Sequence, residues 1–117
     1  MGAYEHGQLV SAQARIVPRT INLASKGKWI TCYIWLPEKY NVADIKSSTV
    51  FLECEIKLDS LHVDEQELVA TAIFSREDVL PILDLGDIDL KITGRLTDGT
   101  VFEATDTIKV IDKSAKN

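Results

Sequence analysis

Three aromatic residues alternate along one short segment and could form a contact surface. Trp29, Tyr33 and Trp35 share one phase of a period-two pattern that runs from Trp29 to Leu36. Alternate residues of a strand point to the same side, so the three rings are expected on one face. Outward aromatic rings can stack on sugars or anchor a protein, and a protein contact is the favoured interpretation. The open alternative is ordinary surface, with Trp29 under a loop and Tyr33 paired across the sheet.

Two cysteines offer a second candidate chemistry. Cys32 and Cys54 are 22 residues apart, and both fall on the predicted inward phase of their strands. A disulfide between facing sheets would fit this placement and would add about 3 kcal/mol in a chain-entropy estimate. The alternative is a pair of buried thiols that pack as small apolar side chains. Without a suitable histidine, two cysteines do not make a structural zinc site.

Carboxylates cluster at two places in the sequence. Asp84, Asp87 and Asp89 surround Gly86, while Glu53 and Glu55 share a strand face. A calcium site needs about six to eight oxygen ligands, of which such clusters supply some. The alternation of these acids along predicted strands favours a solvated surface instead, so we predict no metal and no cofactor.

Catalytic motifs are absent from the sequence. The only histidines are His6, near the start, and His62, in a predicted loop. There is no nucleophile elbow, no Cys–His spacing and no phosphate-binding glycine loop. We therefore predict that the chain is not an enzyme.

Composition narrows the class of partner. The chain has 117 residues, 45% of them apolar, and a formal net charge of −5. This length corresponds to one domain, and the negative charge argues against nucleic acid, whose binding needs a basic surface. The apolar stretches are too short to cross a bilayer, and residues 1–8 do not resemble a secretory signal.

Period-two alternation with turn residues between the segments predicts an all-β fold. It is expected to be an immunoglobulin-like antiparallel sandwich of about seven strands. Asp98-Gly99 predicts a hairpin between the last two strands, and Ser75 begins one short helix near 76–84, which Pro81 keeps short. The predicted strands are 9–16, 19–24, 28–36, 48–58, 67–74, 87–96 and 101–111. The predicted core residues lie on the apolar phase of these strands and are Ile30, Ile34, Leu52, Ile56, Leu90 and Ile92.

The predicted domain covers residues 9–112. Residues 1–8 are expected to be disordered and residues 113–117 to be frayed, because termini without packing partners order poorly.

Several separated segments resemble a known type of module. They are residues 20–31, 36–38, 40–45 and 94–100, and the similarity spans about residues 19 to 112. Together they resemble a C-terminal β-sandwich accessory module that recurs in large secreted and cell-surface proteins of bacteria and archaea. Members often carry an acidic, glycine-containing loop, which the His62–Glu67 segment here does not reproduce, and a polar residue at the position of Trp35.

The resemblance implies an extracellular or cell-surface location and no catalytic residues. The expected function is a non-catalytic structural or protein-interaction module, with a protein partner or self-association. The alternatives are a carbohydrate-binding module that uses Trp29, Tyr33 and Trp35, and a small accessory subunit of an enzyme complex.

Overall fold

Alternating apolar residues build two facing β-sheets in residues 9–113, which are the residues that the computed structural model describes. A short α-helix, α1 (Arg76–Val79), continues into a 3-10 turn (Leu80–Ile82), and a second 3-10 turn spans Val42–Asp44. The strands in this part of the chain are β1 (Leu9–Ser11), β2 (Gln13–Val17), β3 (Thr20–Asn22), β4 (Trp29–Trp35), β5 (Ile45–Leu52), β6 (Ile56–Lys57), β7 (Ser60–Asp64), β8 (Val69–Ser75), β9 (Gly86–Leu96) and β10 (Val101–Ile111).

The strand order confirms the predicted immunoglobulin-like sandwich. One sheet has the order β2-β4-β8-β7, and the other has β1-β10-β9-β5-β6, with β3 also beside β10. In the immunoglobulin fold, strands A, B, E and D form one sheet and strands G, F and C form the other. The two orders found here match this arrangement, and β6 lies beside β5, which corresponds to strand C. β1 and β3 pair in parallel with the two ends of β10, whereas the other pairs are antiparallel. The described residues hold ten strands instead of about seven, because two predicted strands are divided and one was not predicted.

The predicted strand 9–16 is divided at Ala12. β1 pairs with β10 in one sheet, and β2 pairs with β4 in the other. The backbone N–H of Ala12 donates to the carbonyl of Glu103 at 2.8 Å, and the chain then crosses to the second sheet. A continuous alternation in sequence therefore corresponds to two strands on opposite sides of the core.

The predicted strand 48–58 is also wrong as one continuous strand, because a turn interrupts it in the middle. Glu53 and Cys54 have φ angles of 53° and 58°, and the N–H of Glu55 donates to the carbonyl of Leu52 at 3.0 Å. These left-handed conformations make a tight turn between β5 and β6. The next strand, β7, occupies part of the region that was predicted to be a loop.

The core lies between the two sheets and confirms the predicted apolar phase. Gly94 shows how closely it is packed, because a Cβ there would lie 2.6 Å from the Cζ atom of Phe102. The predicted hairpin is also present, with Gly99 at a φ of 94° between β9 and β10. The core residues predicted from sequence and found buried are Ile30, Ile34, Leu52, Ile56, Leu90 and Ile92.

The helix lies in the predicted place but is shorter than 76–84. Ser75 precedes it in an extended conformation, yet its side chain makes no capping hydrogen bond. Pro81 falls within the 3-10 turn, and helical structure ends at Ile82. The proline lacks the N–H that a longer α-helix would need.

The chain ends are described only in part. Residues 1–8, predicted to be disordered, and residues 114–117, predicted to be frayed, lie outside the described residues. Lys113, the first residue of the segment predicted to fray, is within the described residues, and its N–H donates to the side-chain oxygen of Asn22 at 3.0 Å.

An ion pair joins the two sheets where β2 passes β10. Asp106 lies on the core-facing phase of β10, and its carboxylate accepts the N–H of Ile16 at 2.7 Å and pairs with Arg19. The Arg19 guanidinium also donates to the carbonyls of Ile16 and Thr107, both at 3.1 Å. Asp106 on β10 and Arg19 in the connection between β2 and β3 therefore bond the backbone of Ile16, at the edge of the other sheet.

We expect Asp106→Ala to lower the free energy of unfolding by about 1–3 kcal/mol, because it leaves the Ile16 N–H and the Arg19 guanidinium without their acceptor. Urea unfolding followed by circular dichroism measures the change. Thr105→Ala, at an exposed neighbouring position, is the matched control and should change stability by less than about 0.5 kcal/mol. Equal effects of both variants would show that the ion pair contributes nothing.

Stability should also fall in acid through Asp106. Burial opposes its ionisation, but hydrogen bonds from Arg19 and Ile16 outweigh this and lower the pKa of Asp106. A lowered pKa in the folded state means that the stabilisation is full above the ordinary value of about 4 and is lost as the pH falls through the lowered value. Asp106→Asn should flatten the decline in thermal midpoint between about pH 5 and pH 2. A decline as steep as in the parent chain would contradict this assignment.

Candidate functional site

The three predicted aromatic residues all lie on the outer side of β4, but they form two groups. Tyr33 and Trp35 are partly buried, with ring centroids 6.2 Å apart and planes inclined by 35°. Trp29 is 50% exposed and lies at the other end of the strand. At about 3.3 Å per residue, the backbones of Trp29 and Trp35 are separated by roughly 20 Å.

The neighbours of β4 extend this surface across three strands. We call the outward residues of β2, β4 and β8 the aromatic face. Tyr33 lies between Arg15 on β2 and Thr71 on β8. One row along, Thr31 lies between Val17 and Ile73, so aliphatic side chains continue the surface.

Trp35 borders a shallow depression at the end of the aromatic face. The depression measures about 320 Å³ and is lined by Ser11, Gln13, Trp35, Leu36 and Pro37. Gln13 is the direct cross-strand neighbour of Trp35. The Tyr33–Trp35 end therefore combines rings, aliphatic groups and a concave border.

The outer face of the other sheet has a different composition. Lys91 and Glu103 form an ion pair there at 3.5 Å, and further charges of both signs surround it. The aromatic face has Arg15 as its one charged residue, counted over the outward positions of β2, β4 and β8. The charged residues on β9 and β10 of the opposite face are Asp87, Asp89, Lys91, Arg95, Glu103 and Lys109.

Cys32 and Cys54, for which the sequence left a disulfide and a pair of buried thiols open, are both free in the structure, and only Cys32 is buried. Cys32 is buried on β4, and burial, with a contribution from the nearby Asp106 charge, raises its pKa to about 12. Cys54 is exposed, because the tight turn after Leu52 takes it out of the inward phase that was predicted for it. Immunoglobulin domains with a disulfide join strands B and F, but β9, the F strand here, contains no cysteine.

The carboxylates predicted as two clusters partly come together. Glu53, Glu55, Asp84 and Asp89 line one cleft of about 240 Å³, and Asp87 is not part of its lining. The Glu53 carboxylate is already used, since it accepts the N–H of Lys91 at 2.6 Å. Among residues 9–113, no group of three histidine, cysteine or acidic side chains is placed to hold a metal ion.

Of the two histidines in the sequence, His62 is the one that lies within the described residues. His62 lies on β7 opposite Thr71, in a strand where a loop was predicted. In the turn that follows, the Asp64 carboxylate accepts the N–H groups of Gln66 and Glu67 at 3.0 and 3.1 Å. His6 lies outside the described residues.

The three aromatic residues of β4 can be predicted from the sequence, but the residues that surround them cannot. The sequence indicates only weakly that Arg15 and Val17 share a strand face, because they alternate near the end of the predicted strand 9–16. Nothing local in the sequence places Thr71 and Ile73 beside β4, because that pairing joins residues far apart in the chain.

No family model, curated protein or solved structure matches this chain. The similarity to the bacterial and archaeal accessory module accordingly stays an expectation from the sequence. Within the part of the chain that the structure covers, no helix is long and apolar enough to cross a membrane.

The two thiols should differ sharply in reactivity. The thiolate is the reactive form, so the exposed Cys54 should react with an aromatic disulfide reagent in the native protein, whereas the buried Cys32 should not. We expect one equivalent to be released before urea is added and a second after unfolding. Cys54→Ser should abolish the first and keep the second. Native reaction of neither thiol, with two released after reduction, would instead indicate a disulfide.

Proposed function

We propose that this chain is a non-catalytic interaction module that binds a protein partner through the Tyr33–Trp35 end of the aromatic face. The observation that carries the proposal is the contrast between the two outer faces. One presents charges of both signs, as is usual for solvated surface. On the other, β2, β4 and β8 present rings, aliphatic groups and uncharged polar residues with one arginine, and the charged Asp64 lies on β7 at the edge of the sheet.

The composition of this end suits a protein surface. Tyrosine, tryptophan and arginine are the residue types most enriched among those that dominate binding energy at protein interfaces. Here Tyr33 and Trp35 are in contact, and Arg15 is the cross-strand neighbour of Tyr33. Burial of one large aromatic side chain gives roughly 1.5–3 kcal/mol, so the pair can anchor a partner.

The ring geometry favours protein over carbohydrate at this end. A sugar platform presents coplanar rings, and the planes of Tyr33 and Trp35 are inclined by 35°. The depression beside Trp35 gives a concave border in which a side chain of the partner can lie. An accessory subunit of an enzyme complex would use the same surface, with the enzyme as partner.

The location that we propose is the cell surface or the extracellular space. It rests on the sequence similarity to accessory modules of large bacterial and archaeal surface proteins. An interaction module of this kind would connect or position other domains without catalysing a reaction.

The test is the double substitution Tyr33→Ser and Trp35→Ser. We expect it to weaken association at least tenfold, because the loss of two ring contacts exceeds the 1.4 kcal/mol that corresponds to a factor of ten. Light scattering measures the mass of the chain alone and mixed with candidate surface proteins.

The matched control is Lys91→Ser with Lys109→Ser on the opposite outer face, which should leave association unchanged. Circular dichroism must show the same fold for both double variants. Equal association by the parent chain and the aromatic variant would overturn the proposal.

A further inference from the structure

A second cleft lies beside Trp29, at the end of β4 away from Tyr33 and Trp35. It measures about 280 Å³ and lies between the turn before β4 and the start of α1. Trp29 forms its apolar wall and is 50% exposed. The residues that line the cleft are Gly27, Lys28, Trp29, Ser75 and Glu77.

The polar side chains of this cleft have no partner within the described residues. Ser75 precedes α1, but its hydroxyl makes no capping hydrogen bond. Lys28 and Glu77 take part in neither of the ion pairs found in residues 9–113. An ammonium, a carboxylate and a hydroxyl are therefore all available to a ligand beside the Trp29 ring.

The surrounding backbone is held in place by Arg76. Its Nη2 atom donates to the carbonyl of Asn22 at 2.8 Å and to the hydroxyl of Ser25 at 3.2 Å. Its backbone N–H donates to the carbonyl of Lys28 at 2.9 Å. A Cβ at Gly27 would lie 3.4 Å from the Arg76 Cδ atom, so this side chain also packs under the turn. The cleft is thus formed before any ligand binds, which lowers the cost of binding.

We propose that this cleft binds a neutral sugar ring, independently of the protein contact proposed for Tyr33 and Trp35. A sugar ring has one apolar face of C–H groups and a rim of hydroxyls. The Trp29 ring matches the apolar face, because aromatic rings combine apolar area with a negative π-face. Lys28 donates hydrogen bonds, Glu77 accepts them and Ser75 does both.

The charge and the volume of the cleft restrict the class of ligand further. Lys28 and Glu77 contribute opposite charges, so their sum favours no ionic ligand. At about 280 Å³ the cleft is slightly smaller than the usual small-molecule site of about 300–1,000 Å³, and so suits one sugar ring. Because Trp29 lies exposed at the end of the strand, a longer saccharide could continue from the cleft into solvent.

The sequence provides a direct probe, because it contains two tryptophans and hence two indole N–H signals in a nitrogen–proton correlation spectrum. We would titrate glucose, galactose, mannose and N-acetylglucosamine, with their β-1,4-linked disaccharides, to about 50 mM, which detects dissociation constants in the millimolar range. At least one sugar should give a saturable shift of the Trp29 indole and of the Ser75 and Glu77 amides. The Trp35 indole should not move.

Substitutions separate the site from a general effect of sugar on the protein. Trp29→Ala should abolish the response, and Glu77→Gln should weaken it about tenfold, as expected for one charge-assisted hydrogen bond. Asp78→Asn, the neighbouring exposed acid of the same turn, is the matched control and should bind as the parent chain does. The Tyr33→Ser and Trp35→Ser variant should also bind normally, so failure of either proposal leaves the other testable.

Three outcomes would overturn this assignment. The first is that no sugar of the panel moves the Trp29 indole. The second is that Trp35 responds as strongly as Trp29, which indicates a nonspecific effect. The third is that free glycine shifts Trp29 at lower concentration than every sugar, because Lys28 and Glu77 would then be pairing with a zwitterion.

Discussion

The contact between Asp106 and Arg19 is the constraint on which the sandwich depends. A carboxylate on the core-facing phase of β10 is costly unless it is fully paired, and here it accepts the Ile16 N–H while pairing with Arg19. The same arginine donates to carbonyls on both sheets. The pair thereby allows the chain to leave β1, cross to β2 in the other sheet, and return at β3 beside β10.

The crossing from β1 to β2 also determines which residues lie on the outer face of each sheet. Because β2 belongs to the four-stranded sheet, it lies beside β4 and adds Arg15 and Val17 to the rings of that strand. The six-stranded sheet instead has β10 covered at both ends by β1 and β3. One outer face becomes a mixed-charge surface, whereas β2, β4 and β8 present rings and aliphatic groups on the other, and the proposed protein contact depends on that difference.

Local patterns in the sequence determine some features of this molecule and not others. The alternation of Ile88 to Leu96 with Asp98-Gly99 was enough to predict the β9–β10 hairpin and its buried phase. The turn at Glu53-Cys54 was missed because neither residue is a usual turn former, and the misplaced inward phase of Cys54 followed from that error. The division of strand 9–16 depends on an acceptor 90 residues away, which no local pattern reveals. The cleft beside Trp29 was missed for the same reason, since Ser75 and Glu77 come from a distant segment.

The parallel pairing of β1 with β10 has a mechanical consequence. Leu9 lies beside Val101 at the start of β10, whereas Ile111 ends that strand, so the two positions are separated by roughly 33 Å along one direction. A pulling force applied through Leu9 and Ile111 would load the hydrogen bonds between β1 and β10 in shear, so that they would have to break together instead of one after another. The ion pair of Arg19 and Asp106 lies between these two positions and would share that load.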